Sequence, residues 1–103
     1  MATVVRGVER PIVFRDVAFH AQITGRPLMT GWEGWVEFIP LGDGEPIRTP
    51  RETTQPDFAA LVHWAQGLSP VYLEGALVRA LEAAACPPPI LPELVFRTPA
   101  PRR

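Results

Sequence analysis

Lysine and asparagine are missing from this chain altogether, and cysteine occurs once, at Cys86. A single cysteine excludes an intramolecular disulfide and any multi-cysteine metal site. All ten basic residues are therefore arginine. That usage fits a GC-rich bacterial coding sequence and biases the surface toward planar, bidentate donors. Long apolar runs are missing too. Phe58 to Val62 is among the longest, far short of the ~20 residues that a membrane-crossing helix needs. No basic-then-apolar leader opens the chain, so the expected location is the cytoplasm, without membrane contact. The excess of basic charge that nucleic acid usually demands is also lacking. Ten basic residues against eleven acidic give a net charge of −1, and nucleic acid is not an expected partner.

Signature motifs are equally scarce. There is no G-x-G-x-x-G, Walker A, H-E-x-x-H, EF-hand or G-x-S-x-G pattern. A metal would have to recruit His20, His63, Cys86 and carboxylates from separate elements, so no metal or other cofactor is expected. Cysteine–histidine chemistry would place Cys86 at a helix C-terminus, where the dipole disfavours a thiolate. Glu33 and Glu37 could work as an acid–base pair only in a cleft with opposed environments. Their even spacing reads more simply as a solvated strand face opposite Arg48 or Arg51.

What is present is a clear change of period. Val17, Phe19, Ala21 and Ile23 alternate with Ala18, His20, Gln22 and Thr24, the period of a half-buried strand. Thr3 to Val5 reads as a short edge strand, and Gly25, Pro27 and Gly31 as a loop. Over Trp32 to Ile39, Trp32, Val36 and Phe38 share one face, while Glu33, Trp35, Glu37 and Ile39 share the other. Gly42-Asp43-Gly44 is a hairpin signal. The strand after it, from about Glu45 to Thr53, carries Pro46 and Pro50 and so belongs at a sheet edge or is irregular.

Helical spacing then takes over. Thr54 is expected to cap a first helix with Pro56 in its first turn and Phe58, Leu61, Val62 and Ala65 on its buried face. Gly67 is expected as its C-cap. Ser69-Pro70 restarts the pattern, and Leu73, Ala76, Leu77, Ala80, Leu81 and Ala84 form the main stripe of a second helix, ended by Pro87-Pro88-Pro89. The expected fold is therefore α+β: a small antiparallel sheet of three to four strands, then an αα-hairpin packed on one face, then a proline-rich C-terminal tail. Residues 1–86 would form one domain. Residues 87–103 would be the tail, partly docked through Leu91, Leu94, Val95 and Phe96.

Three features stand above this background. Trp35 and Ile39 would lie on the sheet face that helices leave open, a surface for a partner. Arg48, Arg51 and Thr54, at the entry to the first helix, could clamp a carboxylate or phosphate, although helix capping alone accounts for these residue types. Val71, Val78 and Ala85 recur every seven residues on the back of the second helix with Gly75 between them. Glycine inside a helix costs roughly 1 kcal/mol relative to alanine, and close approach of another backbone, whether the docked tail, a second subunit or another protein, is a reason to keep it. The function expected from these features is a non-catalytic protein–protein interaction or regulatory module. A homodimer is the expected assembly, because two-fold homodimers are the commonest oligomer. The alternative is a small-anion or small-molecule binding protein using Arg48, Arg51 and Thr54, and an enzyme is not expected.

Overall fold

The computed structural model describes residues 2–85. Cys86 and the proline-rich tail lie outside the described residues. The chain forms β1 (Thr3–Gly7), β2 (Ile12–Phe14), β3 (Val17–Leu28), β4 (Gly31–Pro40), β5 (Ile47–Arg48), β6 (Thr53–Gln55), α1 (Phe58–Gln66) and α2 (Pro70–Ala85). The fold is α+β, as expected, but the antiparallel sheet has six strands rather than three to four. The difference comes from broken edges. β3 and β4 form one long hairpin, from Phe19 opposite Pro40 to Leu28 opposite Gly31. β1 and β2 pair with successive halves of β3, and β5 and β6 with successive halves of β4. The sheet is thus four strands wide, with both outer ranks interrupted.

Both outer ranks stay tied to the central hairpin. β2 and β3 are joined through Arg15 and Asp16, whose φ angles of 52° and 67° are both positive. Two successive positive φ values are the mark of the type I′ turn that matches strand twist. No glycine or asparagine announces it. Between β5 and β6, Thr49 is buried and binds Val36 twice: its N–H donates to the Val36 carbonyl at 2.9 Å, and its Oγ1 accepts from the Val36 N–H at 3.1 Å. Glu52 N–H reaches the Gly34 carbonyl at 2.8 Å. The polypeptide therefore stays stitched to β4 where the regular ladder lapses.

Strict alternation sorts the two faces. Phe19, Ala21 and Ile23 of β3 and Val36 and Phe38 of β4 are buried against Ala65 of α1 and Leu73, Ala76, Leu77 and Ala80 of α2. Leu81 packs partly against this core, while Ala84 at the end of the expected stripe is exposed. Gly25 is not in a loop. It sits inside β3 directly opposite Gly34, and Leu61 of α1 presses on both. A Cβ on Gly34 would stand 2.8 Å from Leu61 Cδ1, so the two glycines form a socket that lets α1 approach the sheet.

The helix boundaries correct two expectations. Thr54 does not cap α1; it pairs with Glu33 as part of β6. The cap is Asp57, whose Oδ1 accepts from the Ala60 N–H at 2.8 Å. Aspartate is among the best N-cap residues, and three more residues of strand pairing satisfy the backbone before it. Gly67 does close α1, but at φ −87°, in the right-handed region, so its conformational freedom is not used there. Phe58 is also exposed rather than buried, stacking on Trp32 with ring centroids 4.9 Å apart. The start of α2 follows the expectation: Ser69 Oγ accepts from the Tyr72 N–H at 3.1 Å. Among the described residues, no helix is long and apolar enough to cross a membrane.

Candidate functional site

The helix-free sheet face is built from cross-strand pairs: His20 with Ile39, Gln22 with Glu37, Thr24 with Trp35, and Arg26 with Glu33. Trp35 lies on this face, yet it is only 3% exposed. Arginines clad it. The Arg48 guanidinium carbon stands 4.0 Å from the ring centroid and that of Arg26 5.8 Å, a cation–π arrangement in which the long stems also cover apolar surface. The indole Nε1 donates to Glu37 Oε2 at 2.9 Å, and Gln22 Nε2 donates to Glu37 Oε1 at 3.0 Å. Ile39 is half-buried. This face therefore presents charge and arginine planes rather than the open aromatic surface read from the sequence.

The expected anion site is divided by the chain's own carboxylate. Arg26 Nε donates to Glu33 Oε2 at 2.8 Å, and Arg51 stands 3.5 Å from Glu33 Oε1. Glu33 is buried between them. Arg48 stacks on Trp35 and donates from Nε to the Thr49 carbonyl at 3.1 Å. Thr54 is exposed on β6, and the N-terminus of α1 is already served by the Asp57 carboxylate. Arg48, Arg51 and Thr54 thus border the same edge of β4 without converging on the helix N-terminus.

A second polar cluster escaped the sequence reading. Arg79 of α2 holds both oxygens of Glu52, NH2 on Oε1 at 2.6 Å and Nε on Oε2 at 3.2 Å, and the Tyr72 hydroxyl donates to the same carboxylate. Burial alone would push the Glu52 carboxyl up, but the hydrogen bonds from Arg79 and Tyr72 and the arginine's charge hold it below its usual value of 4.5. Burial, then the bond to Glu52 and its charge, push the Tyr72 hydroxyl up to about 12. The only sequence hint is that Tyr72 and Arg79 are seven apart on one helical flank. Arg6 is a further unforeseen tie. Its NH1 donates to the Ala65 carbonyl at 2.7 Å and the Leu68 carbonyl at 3.3 Å, placing a cation at the C-terminal end of α1.

The outer face of α2 is open. Val71 is 77% and Val78 39% exposed. A Cβ built on Gly75 between them would meet only the Arg79 side chain, at 3.5 Å. On the flank of α2 beside β2, the helix layer leaves the sheet uncovered, because α2 packs over β4 and β5 and α1 over β1, β4 and β6. The result is a groove of about 590 Å³ between the Arg6–Val13 segment and Leu68, Leu73 and Glu74. A smaller cleft of about 320 Å³ lies beside Ile12, Phe14, Leu77 and Val78. His20 is on the helix-free sheet face and His63 is exposed on α1. No group of three or more histidine, cysteine or acidic side chains suited to a metal occurs among the described residues. No protein-family model matches the chain, and the searches of curated proteins and of solved structures likewise give no match.

Proposed function

We propose that this chain is a non-catalytic protein–protein interaction module of the cytoplasm that self-associates through the outer face of α2. The observation that carries the reading is the exposure of Val71 and Val78 on either side of Gly75 on one helical face. Buried apolar surface is worth roughly 25 cal/mol per Å², so exposed β-branched residues flanking a glycine are what a second helix would bury. The glycine lets the two backbones come close, and an isologous contact of α2 with α2 closes as a dimer.

Sedimentation across concentration tests it. A reversible dimer is expected, and Val71→Glu with Val78→Glu should weaken it at least about tenfold, which is about 1.4 kcal/mol. A chain that stays monomeric at all concentrations, or a dimer indifferent to both substitutions, overturns the proposal. The other reading is a carboxylate- or phosphate-sized ligand at Arg48, Arg51 and Thr54. Its support is the neighbourhood of Arg48 and Arg51 on one edge of β4, and it is weaker because Glu33 already takes up Arg51.

A further inference from the structure

We propose that residues Ile90 to Phe96 of the same chain dock in the groove between β2 and α2, completing the layer that the two helices leave unfinished. The proposal concerns the β2 side of α2; Val78 borders both this cleft and the outer face, whereas Val71 borders neither groove nor cleft.

The groove supplies the surface. The groove and the adjoining cleft share Ile12 and Val13; Leu73 and Leu77 beside them are already buried, so the open apolar surface is that of Ile12, Val13 and Phe14 of β2 and Val78 of α2. The chain supplies the occupant. α2 borders both the groove and the cleft, so the residues that follow Ala85 start on the same helix, two turns beyond Val78. Back along the helix, Val78 is ~10 Å from Ala85 and Pro70 ~22 Å, at 1.5 Å per residue. At ~3.1 Å per residue in a proline-rich extended form, Cys86 to Leu91 span ~19 Å and Cys86 to Phe96 ~34 Å. Both lengths leave room to reverse direction and still reach the two ends of the groove.

The chemistry matches as well. Ile90, Leu91, Leu94, Val95 and Phe96 are five apolar residues in a stretch of seven. Pro92 lacks an N–H, so it leaves no donor unpaired against an apolar wall. Three prolines ahead of the stretch limit the conformations that docking must freeze. Glu93 and Arg97 flank Leu94 to Phe96, and the groove offers Arg10 and Glu74 as opposite charges.

The test uses the full-length chain carrying Cys86→Ser and Val95→Cys, with a nitroxide on the new thiol. Amide signals of Ile12, Leu73 and Leu77 should lose most of their intensity in the isotope-labelled, spin-labelled chain. They should keep it when isotope-labelled chain without nitroxide is mixed with unlabelled chain that carries it. A second variant, Leu94→Asp without any label, should shift the same three signals. Undisturbed signals in both variants, broadening elsewhere on the fold, or broadening only in the mixed sample would each overturn docking within the chain. Self-association is read separately by the concentration dependence of sedimentation.

Discussion

Tyr72 is the single tyrosine of the chain, so its ionisation can be followed without interference from another phenol. Its hydroxyl donates to Glu52, and burial together with that carboxylate raises its pKa to about 12 from 10.0. A raised folded value means that the contribution to stability is whole below pH 10 and is lost as pH climbs toward 12. Glu52 runs the other way. Its value is held below 4.5, so its contribution is present above that pH and is lost as pH falls beneath it. Tyrosinate absorbance should therefore rise near pH 12 in the native protein and near pH 10 in urea. In Glu52→Gln the native midpoint should move down toward 10. A native midpoint already at 10, unmoved by that substitution, would show that the Tyr72–Glu52 bond does not form in solution. The urea midpoints of the wild type and Glu52→Gln should keep their separation from pH 7 down to about 4.5 and draw together below it, as the carboxylate is protonated.

At the scale of elements, legibility followed periodicity. β4 and the centre of β3 alternate without fault, and the two faces of Trp32 to Ile39 follow from the sequence because every second side chain must cross the sheet. Punctuation misled where one residue type serves two purposes. Gly25 reads as a loop marker, but it is a socket for Leu61, and only the facing Gly34 reveals that. The Arg15-Asp16 turn carries no glycine, so no turn signal in the sequence separates β2 from β3. Thr54 and Asp57 both fit a capping position, and the choice was made by Thr53–Gln55 finding strand partners on β4. Substitution separates the two directly. Asp57→Ala should lower stability by about 1 kcal/mol, as loss of an N-cap does. Thr54→Ala, on an exposed edge position, should change it by no more than roughly 0.5 kcal/mol. Urea unfolding of both variants gives the answer, and equal losses would mean that the helix starts earlier than Asp57.

For the whole molecule, the class was legible because strands precede helices in order. The candidate site was legible only in part. Val71, Gly75 and Val78 stand where helical spacing puts them, whereas the cladding of Trp35 by Arg26 and Arg48 depends on side chains from three strands. Those strands do not share the load evenly. The β3–β4 hairpin pairs along its length, is flanked on both sides, and carries the apolar face that both helices cover. β2 and β5 have three and two residues and one partner each. Amides that exchange only by global opening should therefore sit around Ala21 to Ile23 and Val36 to Phe38, while those of β2 and β5 open locally at far lower free energy. Native-state hydrogen exchange in low urea resolves the two groups. The central amides should share one free energy that falls with urea at the slope of global unfolding, and the edge amides should show lower values with little slope. If β2 and β5 were protected to the global limit, the broken edges would be part of one cooperative unit, and the long hairpin would no longer be the element that carries the fold.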